Sequence, residues 1–158
     1  MAGTAESWTL PHGERARQWC RERNAQGIRC ILDILSGAAR TREQSEQTRD
    51  AYIACIRGIV ESSLDASVSV KLTALGATRD PAIYRSHVAS LLRVARDAGV
   101  GFEVDMEGRG LVDRTLEIAR EAARSGFPLT LALQAYLDRT PGDLAAALEG
   151  GIRVRLVK

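Results

Sequence analysis

Lysine is nearly missing from this chain of 158 residues: only Lys71 and Lys158 occur, and every other basic side chain is arginine. A residue used that sparingly is not routine surface filling. Aromatic residues make up 4% of the chain, which leaves few rings to stack on bases, and a formal net charge of +2 is too small to attract a polyanion. Nucleic acid is therefore not an expected partner. Cys20, Cys30 and Cys55 are an odd number of thiols without CxxC spacing, so neither a disulfide framework nor a zinc site is indicated. No metal is expected, and the thiols read as buried and free. No apolar run approaches the length of a membrane span, and the N-terminal MAGTAESWTLPHGERARQW lacks the basic-then-apolar order of a signal peptide. A cytoplasmic protein is the expectation. Also missing are GxxxxGK with Ser or Thr, HExxH, GxSxG and any strand leading into GxGxxG. Nucleotide hydrolysis, zinc proteolysis, serine hydrolysis and Rossmann binding therefore lack support.

What is present, 45% hydrophobic and 27% charged residues, suits one packed domain. The rest of the chain is organised around SVSVKLTALG, residues 67–76. With period two, Val68, Val70 and Leu72 share one face of a strand while Ser69, Lys71 and Thr73 share the other. A lysine pointing into a shared interior needs a partner or a ligand anion, because burying an unpaired charge is costly.

In chain order, residues 1–27 read as a loose lead and a helix over 12–26, with Ala16, Trp19 and Arg23 along one stripe and a stop at Gly27. IRCILDIL, 28–35, predicts a first strand with Asp33 on the face opposite Cys30, Leu32 and Ile34. A helix over 41–63 carries Tyr52, Ile56, Ile59 and Val60 on its apolar side, with Thr41 and Gln44 spaced as a capping box. After the lysine strand, Pro81 opens a helix with the stripe Tyr84, Val88, Leu91, Leu92 and Ala95, which stops at Gly99. In GFEVDMEG, Phe102, Val104 and Met106 alternate with Glu103, Asp105 and Glu107, so three carboxylates share a face. The spacing of Val112, Leu116, Ala119 and Ala123 predicts a helix over 111–125 that closes at Gly126. A short fourth strand turns Leu129, Leu131 and Leu133 one way and Thr130, Ala132 and Gln134 the other. Thr140 and Pro141 open a last helix with Leu144 and Leu148, and IRVRLVK, 152–158, is a fifth strand with Arg153 and Arg155 opposite Ile152, Val154 and Leu156.

Strand and helix in strict alternation call for an α/β fold with a parallel sheet and right-handed crossovers. A doubly wound sheet asks for central strands apolar on both faces. These strands instead each carry a polar residue near the carboxyl end: Asp33, Lys71, Asp105, Gln134 and Arg155. A parallel (β/α) barrel accounts for that, because its strands present functional side chains at the carboxyl-terminal mouth. Such a barrel has eight strands and about 250 residues. The expectation is thus a partial barrel over 28–158, truncated after the fifth strand.

VSVKLTALG, FEVDMEG, LALQAYLDRT and RVRLVK, in that order and one βα unit apart, closely resemble the proline dehydrogenase family of FAD-dependent (β/α) barrels. The resemblance implies oxidation of L-proline to 1-pyrroline-5-carboxylate in proline catabolism, with electrons passed to a quinone-type acceptor and peripheral membrane contact for that transfer. Residue by residue, it implies that Lys71 binds the substrate carboxylate and Asp105 lies beside the reacting amino acid. Arg155 stands near the reactive flavin nitrogen, while Gln134, Met106 and Lys158 contact the cofactor. Alternation turns the Met106 side chain outward, so its contact is expected from the backbone. The resemblance further implies a continuation beyond Lys158 that completes the barrel and clamps the substrate with two arginines. DILSGA departs from the family in having Ser36 and Gly37 where glycine and glutamate are usual.

The residues alone leave other readings open. Lys71 with Asp105 also reads as an internal ion pair between strands, and Gln134 and Arg155 as satisfied barrel polars. Glu103 and Glu107 read as solvated or salt-bridged, and His12 and His87 as surface residues. Two alternative functions follow: a non-catalytic half-barrel that self-associates through open strand edges, and a Schiff-base lyase with Lys71 as nucleophile and Asp105 as proton shuttle.

Overall fold

The computed structural model describes residues 13–158. The lead and His12 lie outside the described residues. Helix α1 (Gly13–Asn24) is followed by β1 (Cys30–Asp33), α2 (Arg42–Glu61), β2 (Ala66–Val70), α3 (Pro81–Asp97) and β3 (Gly101–Val104). A 3-10 turn over Arg109–Leu111 runs into α4 (Val112–Arg124), and β4 (Thr130–Gln134), α5 (Thr140–Glu149) and β5 (Arg153–Val157) complete the order. All neighbouring strands are parallel, in the order β1-β2-β3-β4-β5. That order selects between the two architectures. With right-handed crossovers and no reversal of strand order, every connecting helix falls on the same side of the sheet, as in a barrel wall. β1 and β5 do not pair with each other, so among the described residues the sheet has two free edges.

The helix ends follow local chemistry. Thr41 caps α2 by accepting from Gln44 N at 3.2 Å, but the Gln44 side chain accepts from Arg40 N at 2.7 Å rather than from Thr41, so the expected box is displaced by one residue. Asp80 caps α3, accepting from the N–H groups of Ala82 and Ile83, and Pro81 occupies the first turn, where its missing N–H is no loss. Gly99 and Gly126, placed as stops by the sequence, have φ of 66° and 71°, which a side chain would disfavour.

The core lies between the sheet and its helices. Val68, Val70, Val104, Leu131 and Leu133 from the strands pack with Tyr52 and Ile56 of α2, Tyr84, Val88 and Leu91 of α3, and Leu116 and Ala119 of α4. Each valine, leucine or isoleucine among them contributes about 1.5–3 kcal/mol through removal from water. The α3 stripe is buried at all five expected positions. Val60 departs from its place on the apolar side of the helix by being half exposed, and Leu148 and Leu156 are more than half exposed. Leu148 and Leu156 lie on the last helix and the edge strand, where no following element covers them among the described residues. Val60 sits in the final turn of α2, beyond the stripe that meets the sheet. Cys20 and Cys30 are buried free thiols and Cys55 is partly buried. Burial, helped by the hydrogen bond with Cys30, pushes the Cys20 thiol up to about 12, which leaves it unreactive at neutral pH.

His87 corrects a surface assignment: it is 5% exposed, with Nδ1 3.4 Å from Leu75 O. Periodicity places it on the flank of α3, but the loop 71–80 folds over that flank. Burial lowers its pKa below the ordinary 6.5, with Arg49 and Arg42 adding to the effect and the Leu75 carbonyl and Glu46 opposing it. The unfolded chain therefore takes up this proton first. Its contribution to stability is fully present above about pH 6.5 and is lost as pH falls toward the folded-state pKa. Urea midpoints measured from pH 8 down to 5 are expected to fall below about pH 6.5 and to flatten in His87→Gln, with His12→Asn as the control. An unchanged slope in His87→Gln would remove this account.

Candidate active site

Strand register builds one polar surface on the face away from the helices. Asp33 is level with Ser69, Ser69 with Glu103, Glu103 with Thr130 and Thr130 with Arg153. One pleat further toward the carboxyl ends come Lys71, Asp105, Ala132 and Arg155. Period-two alternation thus brings together residues that are far apart in the chain.

The contacts make these side chains a single network. Lys71 Nζ donates to Asp33 Oδ2 and lies 3.3 Å from Asp105 Oδ2. Arg155 reaches back with Nε to Glu103 Oε2 and Nη2 to Asp105 Oδ1, both at 2.9 Å. Ser69 Oγ donates to Asp105 Oδ1 at 2.8 Å and Ser67 Oγ to Glu103 Oε1 at 2.6 Å. Nearer the mouth, Thr73 donates its N–H and hydroxyl to the Glu107 carboxylate, at 2.9 and 2.5 Å. Lys71, Asp33 and Asp105 keep 24–30% of their side-chain surface accessible, so the centre opens to solvent rather than being sealed in the core.

Burial disfavours the Lys71 ammonium, but the hydrogen bond and charge of Asp33, followed by those of Asp105, outweigh it, and its pKa is raised. This is the wrong direction for an amine nucleophile, which must lose its proton near neutral pH. The lyase reading is not favoured. A permanently charged lysine suits the binding of an anion instead.

Of the residues expected at the site, Lys71, Asp105 and Arg155 are joined directly. Gln134 ends β4 on the same face and is half-buried; its backbone carbonyl accepts from Thr140 Oγ1 at 2.6 Å, and its side-chain amide has no hydrogen-bond partner among the described residues. Met106 is buried in the helix-side core, as alternation requires. Lys158 follows β5 and is exposed. Glu103 is salt-bridged, one of the two readings it had, but at 7% exposure it is an integral anion of the network. Asp33 was legible as a mouth polar without a role. Tyr52 was legible only as core, yet its hydroxyl donates toward Asp33 Oδ1 at 3.0 Å.

The surface has donors suited to the edge of a flavin ring. The Arg155 guanidinium carries five N–H donors, of which the carboxylates engage only part, and the Gln134 amide supplies both a donor and an acceptor. Both stand on the open face of neighbouring strands, Gln134 at the end of β4 and Arg155 level with Ala132, one pleat earlier.

The proline dehydrogenase family profile matches residues 16–158. Proline dehydrogenase 1 of Bacillus subtilis (strain 168) is 28% identical over 145 residues, covering 92% of this chain and 48% of that protein. Proline dehydrogenase 2 of the same strain is 27% identical over 124 residues, covering 78% and 41%. The chain spans about half the length of these curated relatives. Among solved structures, proline utilization A (PutA) from Bdellovibrio bacteriovorus, inactivated by N-propargylglycine, superposes with a TM-score of 0.81 at 21% identity, over 92% of this chain and 19% of that one. A mutant PutA from Bradyrhizobium japonicum gives a TM-score of 0.70 at 26% identity, over 82% and 16%.

Proposed function

This chain belongs to the proline dehydrogenase family, and we propose that residues 28–158, behind the N-terminal segment 1–27, supply one side of a barrel mouth that binds FAD and oxidises L-proline to 1-pyrroline-5-carboxylate. The observation that carries the reading is the Lys71 ammonium held between Asp33 and Asp105, with Arg155 on the far side of Asp105, all on the open face at the strand ends. Lys71 binds the substrate carboxylate through an N–H that its two carboxylates leave over. Asp105 lies beside the substrate amine and orients it. The five groups linked by ion pairs, Asp33, Asp105, Glu103, Lys71 and Arg155, carry formally three negative charges against two positive ones, which favours a cationic amine in the same pocket.

Gln134, Arg155, Lys158 and the backbone at Met106 would hold the flavin, which when bound supplies the acceptor for the hydride equivalent. Arg155 would supply that group with a fixed positive charge, and Glu103 and Asp105 keep its guanidinium oriented. The reading carries with it a quinone-type electron acceptor and a cytoplasmic protein in peripheral contact with a membrane. No helix among the described residues is long and apolar enough to cross one.

The protein purified with FAD and freed of unbound cofactor is expected to keep flavin absorbance, and anaerobic L-proline is expected to bleach it. Colourless protein, or flavin bands indifferent to proline, would overturn the reading.

The free edges of β1 and β5 favour a second property, pairing of the sheet with further strands, including those of another copy. Ile31, Leu35 and Leu156 lie on or beside these edges at 46%, 69% and 54% exposure. Sedimentation is expected to show concentration-dependent association. A monomer at every concentration would remove self-association.

A further inference from the structure

Resting on the reading of Lys71 as the carboxylate-binding cation, we propose that Asp33 is its positioning residue: anchored by Tyr52, it holds the ammonium off Asp105 and leaves one N–H for the open face. An ammonium has three N–H donors. Asp33 Oδ2 takes one and Asp105 Oδ2, at 3.3 Å, faces another.

The two carboxylates are not equivalent. Asp105 already accepts from Ser69 Oγ at 2.8 Å and Arg155 Nη2 at 2.9 Å. Asp33 has no cation but Lys71 among the described residues, and its other oxygen faces the Tyr52 hydroxyl at 3.0 Å. Tyr52 is wholly buried on α2. Its hydroxyl also lies 2.8 Å from Ser69 O and accepts from Ile34 N at 3.4 Å, which ties one oxygen to both β1 and β2. Burial, followed by the Asp33 charge, raises the Tyr52 pKa, so the hydroxyl remains a donor. A helix-borne post thus fixes Asp33 and Asp33 fixes Lys71. Without Asp33 the ammonium has only Asp105, and two cations then crowd one carboxylate while the N–H meant for substrate turns inward. After burial, which opposes the charge, Asp33 is the largest influence that keeps Lys71 protonated.

The scarcity of lysine makes the test direct. Lysine labelled with 13C at Cε gives two signals, from Lys71 and Lys158, told apart by Lys158→Arg. Asp33→Asn is expected to lower the Lys71 titration midpoint by more than Asp105→Asn does, while Asp33→Glu keeps it near wild type. An unchanged Lys71 midpoint in folded Asp33→Asn overturns the proposal. If Asp33→Asn fails to fold, Asp33→Glu decides: a midpoint that drops although the charge is retained also overturns it, and one that holds supports it. Addition of L-proline is scored separately. A Lys71 signal that depends on Asp33 but ignores proline upholds the positioning role and removes the substrate reading, whereas one that responds to proline equally with and without Asp33 does the reverse.

Discussion

Lys71→Met is expected to shift the proline-dependent bleaching of bound flavin to much higher proline concentrations while the flavin bands themselves persist. Two consequences of the substitution act together. On the proposed reading the substrate carboxylate loses its cation, and Asp33 and Asp105, which both face Nζ in the native protein, are left without the charge between them. Removing one partner of a desolvated, hydrogen-bonded charge pair costs about 2–5 kcal/mol, equivalent to a loss of affinity of roughly 30-fold to a few thousandfold. Partial solvent access to this cluster puts the expected loss toward the lower half of that range. The residues proposed to hold the flavin, Gln134, Arg155 and Lys158, are on β4 and β5 or follow β5, on the other side of Asp105, so retention of the flavin is expected to change little. Lys71→Arg keeps the charge but replaces a compact ammonium with a planar fork, and an intermediate loss is expected. Titration of anaerobic protein with L-proline measures all three forms. Bleaching of Lys71→Met at wild-type proline concentrations would remove Lys71 from substrate binding.

The largest expected effect on stability is at Tyr52. Its ring is wholly buried among Ile56, Val68 and Val70 in the core, and its hydroxyl joins the core to the site through Asp33 and Ser69 O. Tyr52→Ala leaves a cavity the size of a ring and is expected to cost about 3–5 kcal/mol, a large fraction of the ~5–15 kcal/mol that holds a domain together. Tyr52→Phe keeps the packing and removes the hydroxyl, so that Asp33 and the Ser69 carbonyl lose the one O–H donor they share and the Ile34 N–H loses its acceptor, at a cost of about 1–3 kcal/mol. Urea unfolding followed by circular dichroism measures both. Equal losses in the two variants would mean that packing of the ring contributes nothing. A loss below about 1 kcal/mol in Tyr52→Ala would mean that the site does not depend on this anchor.

The α3 stripe of Tyr84, Val88, Leu91, Leu92 and Ala95 is legible in the sequence because a helix repeats every 3.6 residues and one side of it meets the sheet. Alternation likewise puts Lys71, Asp105 and Arg155 on the polar side of their strands and Met106 on the apolar side. Local pattern fails where contact is made by loops and edges. His87 reads as a flank residue because periodicity within α3 contains no information about the loop that covers it. Leu148 and Leu156 are apolar yet exposed, because an apolar residue states a preference, and burial also needs a neighbour.

By itself, the sequence determined the βα alternation, the face each strand side chain takes, the helix stops at Gly99 and Gly126, and the family. These are local properties of backbone sterics and hydrophobic period, or of motifs in fixed order. Only the tertiary structure decided that Lys71 is shared by Asp33 and Asp105, that Arg155 ties Glu103 to Asp105, and that Tyr52 supports the arrangement from α2. Charge pairing depends on distances of a few ångström between segments many residues apart. Those distances are set by strand register and helix packing, which no single segment encodes.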